Sequence, residues 1–301
     1  MYQNFNQVAN APNQGEVLLN QIAGAGSGGG TSSAAAQLRD LTRDMPAPVA
    51  AMLQSVSHSG IQVETSGASQ QLGDAWRANV WPLCEAAFNR YPMIASSNAD
   101  VPVDDFARLL APGGAISQFF DQYLKAFVDT TQHPWKWLSA ERVPLGLSPS
   151  SLIEFEHAAQ IREALFSNGN QVQVRFQLVP VTLDPQLAQI SIDIGDGALV
   201  WNHGPPEGVA FQWPGRSGKT LVRVTMTPAS GAQAQITERD GPWALLHLLD
   251  TARITPSGQP DKFRIAFSGA GGTATFELNA SSVNNPFTST ALRSFRCPPK
   301  L

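Results

Sequence analysis

Residues 213–220, Trp-Pro-Gly-Arg-Ser-Gly-Lys-Thr, end in the Gly-Lys-Thr of a phosphate-binding loop. That loop, G-x-x-x-x-G-K-[ST], wraps a phosphate in backbone N–H groups and then feeds a helix whose N-terminus faces the anion. Counting back from Gly218 puts Trp213 where the first glycine must stand, and Gly215 lies too close to replace it. In the following Leu-Val-Arg-Val-Thr-Met-Thr, Val222, Val224 and Met226 alternate with Arg223, Thr225 and Thr227, the period of a half-buried strand. The spacing predicts a loop between two strands, with Lys219 and Thr220 opening the second. No nucleotide site is expected in this segment.

Other chemistry-bearing residues are equally scattered. The histidines, His58, His133, His157, His203 and His247, form no pair at ligand spacing, and two cysteines are too few for a metal cage. Asp104/Asp105 and Glu154/Glu156 are too close in sequence to share a helix face, so neither is an acid/base dyad. Asp193 and Asp196 in Asp-Ile-Gly-Asp-Gly supply too few oxygens for calcium and read as a hairpin turn. G-x-S-x-G, H-E-x-x-H and C-x-x-C are missing, and Gly-Ala-Gly-Ser-Gly-Gly-Gly (24–30) follows no strand. No catalytic, cofactor-binding or metal residue is assigned, and no enzyme is expected. What remains is aromatic: Trp201, Phe211 and Trp213 surround a Pro-Pro connection. They are nominated as a partner-binding surface, although such rings also fill cores.

The elements that must position these residues change character once. Residues 1–33 have linker composition. From there to 166 the apolar spacing is helical. Leu38 and Leu41 start one helix, and Val49, Met52, Leu53 and Val56 lie on the face of another. Leu72, Trp76, Val80, Leu83, Ala87 and Tyr91 form a stripe with Pro82 as a kink or join. Pro102 opens a short helix that Pro112-Gly113-Gly114 closes. Ile116 through Val128 forms the clearest apolar stripe, and a further helix follows, with Ser150 or Ser151 as N-cap and Glu154 completing a capping box. Beyond Asn168-Gly169-Asn170 the period becomes two. Short strands separated by Gly, Pro and Asp turns predict an antiparallel sandwich interrupted by two helices. The predicted fold is α+β: an all-α domain over 34–166, then a β-sandwich domain over 167–301 with a C-terminal helix.

Composition narrows the class further. The chain has 301 residues, 43% of them hydrophobic and 15% charged, enough for a sizeable core. A net charge of −4 without basic runs argues against nucleic acid. No apolar run is long enough to span a bilayer, and the N-terminus has no secretory signal. Cys84 and Cys297 are either buried free thiols or one long-range disulfide, the latter requiring an oxidising compartment.

Several segments carry a family resemblance: Asn-Arg-Tyr-Pro-Met (89–93), the block 100–129 with Trp-Lys-Trp (135–137), Asp-Gly-Pro-Trp-Ala-Leu-Leu-His-Leu-Leu-Asp (240–250) and Asn-Pro-Phe…Phe-Arg-Cys-Pro (285–298). In this order, over residues 40–298, the chain resembles the C-terminal periplasmic region of the IcmF family (TssM), the inner-membrane component of bacterial type VI secretion systems.

The resemblance implies a periplasmic segment of an inner-membrane protein, itself without a transmembrane helix, with membrane helices and a nucleotide-binding-like domain upstream. It implies a structural role without cofactor: binding the outer-membrane lipoprotein TssJ and, with TssL and other TssM copies, bridging the two membranes. An oxidising periplasm favours the Cys84–Cys297 disulfide. The competing class is a carbohydrate-binding β-module on peptidoglycan, with the same tryptophans as sugar platforms.

Overall fold

A computed structural model describes residues 70–138, 147, 149–287, 290–299 and 301. The linker expected over 1–33 and the two helices expected between 34 and 60 lie outside the described residues. Those described form two compact units, each drawn from separate stretches of chain. One contains residues up to Pro82, Ala115–Glu156 and Cys297–Leu301; the other contains Leu83–Gly114 and His157–Arg296.

In the first unit the helical residues 70–79 break at Val80, and helix α1 (Trp81–Phe88) carries the chain into the second. Pro82 therefore sits in the first turn of a new helix, where its missing N–H costs nothing. Helix α3 (Ala115–Tyr123) buries Ile116, Phe119 and Phe120. Trp76 meets Phe119 and Phe155 edge-on, with centroids 5.1 and 5.7 Å apart, and its indole N–H donates to Pro298 O at 2.8 Å. The apolar stripe extends to Val128 in sequence, yet the helix stops at Tyr123. A 3₁₀ turn leads into strand β1 (Val128–Asp129), which pairs with β2 (Lys136–Trp137). The Asp129 carboxylate accepts from Thr131 N–H and hydroxyl at 2.9 and 2.6 Å, closing this hairpin and holding its own pKa down. Helix α4 (Pro149–Leu165) begins at Pro149, one residue ahead of the expected caps, so Ser150 and Ser151 lie inside its first turn. Proline's fixed φ suits the first helical position.

The second unit holds helix α2 (Val103–Leu110), the end of α4, and a sandwich of two antiparallel sheets. Five strands, β3 (Val174–Leu183), β6 (Val209–Trp213), β9 (Arg253–Pro256), β10 (Lys262–Gly269) and β11 (Gly272–Ala280), lie in the order β6-β3-β11-β10-β9. The other sheet runs β5-β4-β7-β8, from β4 (Leu187–Ile194), β5 (Gly197–Trp201), β7 (Val222–Pro228) and β8 (Gln235–Arg239). Alternation decides the inner faces. Val174, Phe176 and Leu178 face Ile190, Ile192 and Ile194 across a core completed by Phe263, Ile265 and Phe276, all buried. Pro180 is accommodated where the β3–β11 register slips between Thr275 and Phe276, a bulge that needs no donor from it. Helix α5 (Ala244–Leu249) buries five of its six side chains, and helix α6 (Ala291–Ser294) ends the fold. The predicted α+β order, helices then antiparallel sandwich with a short C-terminal helix, is the observed one.

Candidate functional site

The 214–221 loop joins the edge strand of one sheet to the middle of the other. Gly215 N–H donates to Lys219 O and Gly218 N–H to Gly215 O, both at 2.9 Å, and Gly218 takes φ +84°. Trp213 donates its indole N–H to Thr220 O at 3.0 Å. The second strand starts at Val222 rather than Lys219. No helix follows, and the Gly215 and Gly218 N–H groups are already taken by the loop's own carbonyls.

Asp196 supplies the other tie. Gly195 and Asp196 form the two-residue turn between β4 and β5, Gly195 having the φ of +59° that the first position of a II′ turn requires. The Asp196 carboxylate accepts from Ser217 N–H at 2.9 Å and Ser217 hydroxyl at 2.5 Å. These two bonds hold the carboxyl below its usual range. A Cβ on Gly215 would sit 2.6 Å from Asp196 Oδ2, so the approach of turn to loop depends on glycine there. The Asp-Ile-Gly-Asp-Gly motif fastens a loop.

The nominated aromatics lie elsewhere than on a rim. Trp201 is 9% exposed, Phe211 3% and Trp213 0%. Trp201 donates its indole N–H to Gly204 O at 2.9 Å and meets Phe276 edge-on; Phe211 stacks on Phe176 at 5.6 Å. As exposed anchors these three are therefore corrected. All three point inward in the strand alternation, and the indole N–H groups find carbonyls of the adjoining loops, which lets tryptophan be buried whole.

Residues that the sequence offered no chemistry for converge at a second place. Tyr91 stacks on His247, with centroids 3.7 Å apart. Its hydroxyl donates to Asp250 Oδ2 at 2.8 Å. Arg293 donates to both Asp250 oxygens at 2.7 Å, to Pro92 O at 2.6 Å, and lies 5.0 Å over the Tyr91 ring. His247 Nε2 lies 2.9 Å from Asp100 Oδ1. Trp243, fully buried, donates to Val101 O at 2.7 Å. Burial, reinforced by the Asp250 carboxylate, pushes the Tyr91 phenol well above its usual value. A protonated tyrosine with no exposed surface serves no acid/base turnover. The network joins three stretches far apart in sequence, 91–101, 243–250 and Arg293, and its signal was available: each belongs to the motifs that carry the family resemblance.

Two other histidines each lie against an oxygen. His133 Nδ1 lies 2.7 Å from the buried Glu156, whose other oxygen accepts from Trp135 N–H at 2.9 Å. His203 Nε2 lies 2.7 Å from Leu187 O. Among the described residues no group of three or more His, Cys, Asp or Glu is placed to hold a metal, and no helix is long and apolar enough to cross a membrane. Neither Cys84 nor Cys297 is a free thiol, and both are buried.

One open groove, about 1360 Å³, runs over the outer face of the five-stranded sheet. Arg175 and Gln212 face it from β3 and β6, Asn279 from β11, Arg216 from the loop, and Asp104 from the start of α2. Two of its side-chain acceptors, Gln173 Oε1 and Asn279 Oδ1, are buried without a hydrogen-bond partner.

Comparison with known proteins agrees with this architecture. Residues 67–171 match the type VI secretion protein IcmF helical domain, and residues 176–282 the type VI secretion protein IcmF C2-like domain. The chain is 34% identical over 272 residues to the type VI secretion system component TssM1 of Pseudomonas aeruginosa, covering 90% of this chain and 25% of that protein. It thus spans about a quarter of the curated relative it matches. A structure titled T6SS protein TssM C-terminal domain, from EAEC, superposes with a TM-score of 0.67 at 21% identity, over 78% of this chain and 98% of that one. A chain of a type VI secretion system membrane core complex superposes at 0.74 and 18% identity, over 94% of this chain and 60% of that one. With the helical and C2-like domains in tandem, the chain belongs to the IcmF family of type VI secretion proteins and shares the fold of a TssM C-terminal domain.

Proposed function

We propose that this chain is the structural, periplasmic part of the type VI secretion membrane complex, binding the outer-membrane lipoprotein TssJ and so bridging the inner and outer membranes. TssL and further TssM copies complete the assembly around it. The observation that carries the reading is the fold shared, over 94% of this chain, with a chain of a type VI membrane core complex. Supporting it, the titratable groups that do converge, Tyr91, Asp250 and Arg293, are spent on one another and on backbone carbonyls. Such a network stiffens a scaffold and performs no turnover. The peptidoglycan alternative draws no support from Trp201, Phe211 and Trp213, because a sugar platform needs an exposed ring.

Titration calorimetry of the purified chain against the soluble domain of the TssJ lipoprotein from the same system tests the proposal. Saturable one-to-one binding with Kd of about 1 μM or tighter is expected. A folded chain that releases no binding heat and does not comigrate with TssJ overturns it.

A further inference from the structure

The chain holds three pairs in which an Asn or Asp precedes glycine: Asn168-Gly169, Asp196-Gly197 and Asp240-Gly241. In such a pair the glycine nitrogen can reach the side-chain carbonyl carbon before it, because glycine has no Cβ to obstruct the approach. The fold treats the three differently. The Asp196 carboxylate accepts from Ser217 N–H and hydroxyl, and a Cβ on Gly197 would meet the Phe211 ring at 2.8 Å. The Asp240 carboxylate accepts from the Thr220 hydroxyl at 2.6 Å and from Gly241 N–H at 2.8 Å. These bonds favour the ionised form and hold both carboxyls below their usual range. An ionised carboxylate repels a nucleophile.

Asn168-Gly169 differs on each count. Its side chain is a neutral amide, and both residues are exposed. Among the described residues neither the Asn168 side chain nor the Gly169 N–H has a hydrogen-bond partner. A Cβ on Gly169 would meet nothing within 4 Å. The pair lies in the turn between α4 and β3, where Asn168 and Gln171 form an isolated bridge. Gly169 has φ +83° at the first turn position, a conformation that favours glycine. Electrophile, nucleophile and open space are therefore all left free in one exposed turn.

We propose that Asn168-Gly169 is a site of covalent self-modification, deamidation through a cyclic imide with water as the co-reactant. The Gly169 nitrogen gives its proton to hydroxide and bonds to Asn168 Cγ. The Cγ–Nδ2 bond breaks, and the amide nitrogen takes a proton from water and leaves as ammonia, regenerating hydroxide. A water then opens the imide, at Cγ to give aspartate or at the main-chain carbonyl carbon to give isoaspartate. Nothing is oxidised or reduced. Aspartate adds a charge and keeps the backbone. Isoaspartate adds a methylene to the main chain, which breaks the register of the 168–171 bridge. The contacts on either side are Phe166, buried and stacked on Phe106 of α2 with centroids 5.9 Å apart, and Gln173 N–H, which donates to Leu165 O at 2.8 Å.

The test keeps the whole folded chain in warm, mildly alkaline buffer and follows it by peptide mapping with mass spectrometry and by isoaspartyl methyltransferase labelling. Asn168→Ser and wild type unfolded in urea are run beside it. The Asn168 side chain is exposed and unpartnered, so circular dichroism and the melting temperature of Asn168→Ser should match wild type. Folded wild type is expected to lose the Asn168 amide progressively, faster as pH rises, with the label confined to the peptide containing residue 168. Asn168→Ser should stay unlabelled while folded, and Asp196 and Asp240 should take label only in urea. A folded chain that keeps the Asn168 amide while the unfolded chain loses it overturns the proposal, since the turn would then hold the pair out of reach. Equal labelling of folded wild type and Asn168→Ser overturns it as well.

Discussion

Tyr91 and His247 stack with their ring planes 15° from parallel, although one precedes the whole sandwich and the other interrupts it. Each is held from its far side. The Tyr91 hydroxyl donates to Asp250, and His247 lies against Asp100. The helices around Pro92 and the helix that follows β8 are thus joined by a polar core whose members satisfy one another. This satisfaction, more than any single contact, is what the following predictions probe.

Tyr91→Phe removes one hydrogen bond and leaves the ring stack. A loss of about 0.5–1.5 kcal/mol at neutral pH is expected by urea denaturation. The alkaline behaviour is more diagnostic. The folded-state phenol titrates above the ordinary value of 10.0 because it is buried and bonded to Asp250. The unfolded chain then loses its proton first. The stabilisation is fully present below pH about 10 and declines as pH rises toward the folded value. Wild type should therefore lose stability above pH about 10 more steeply than Tyr91→Phe. Parallel curves would show that the phenol does not carry the effect.

Arg293→Met should cost about 1–3 kcal/mol. The guanidinium serves both Asp250 oxygens and Pro92 O, but the side chains of Arg293 and Asp250 are 31% and 43% exposed. Solvent screening keeps the loss below that of a fully buried pair. A double-mutant cycle with Asp250→Asn should return a coupling of about 1 kcal/mol; independent effects would mean that the carbonyl contact carries the whole cost.

Trp213→Ala should cost about 3–5 kcal/mol, since the ring has no exposed surface and its N–H is committed to Thr220 O. Val200→Ser, on the exposed face of β5 at 64% exposure, should fall within about 0.5 kcal/mol of wild type. Chemical denaturation of the two variants side by side distinguishes a core tryptophan from a surface one. An affinity loss in Trp213→Ala is informative only if the variant remains folded under the assay conditions.

Cys84 and Cys297 are the chain's two cysteines, both buried and neither free. We propose that they bond to each other. Thiol counting of the unfolded, unreduced chain should find none, and peptide mapping should recover one linked pair. Closing so long a loop stabilises by about 5 kcal/mol in the chain-entropy model, so Cys84→Ser/Cys297→Ser should melt at markedly lower temperature. Two reactive thiols in the unreduced chain would refute the bond.

The change from helices to strands was legible because side-chain periodicity is local. Val172, Val174, Phe176 and Leu178 announce a strand regardless of what pairs with it, and β3 is observed from Val174. The α3 stripe misled for the same reason: Ile116 to Val128 has helical spacing, but Asp129 closes a hairpin, and pairing of Val128 with Trp137 outweighs propensity there. The aromatics misled in another way. Strand alternation places Trp201, Phe211 and Trp213 on one face each, yet only the second sheet tells which face is covered.

The sequence by itself determined the order of elements, the loop nature of Gly-Lys-Thr and the missing spacing for metal or nucleotide chemistry, because those depend on residues a few positions apart. The tertiary structure alone decided that Tyr91, Asp100, His247, Asp250 and Arg293 form one network, that Asp196 clamps Ser217, and that a polar groove lies over β3 and β6. Those relationships join residues from separate elements. Their geometry follows from how two sheets and the intervening helices pack, which no local period encodes.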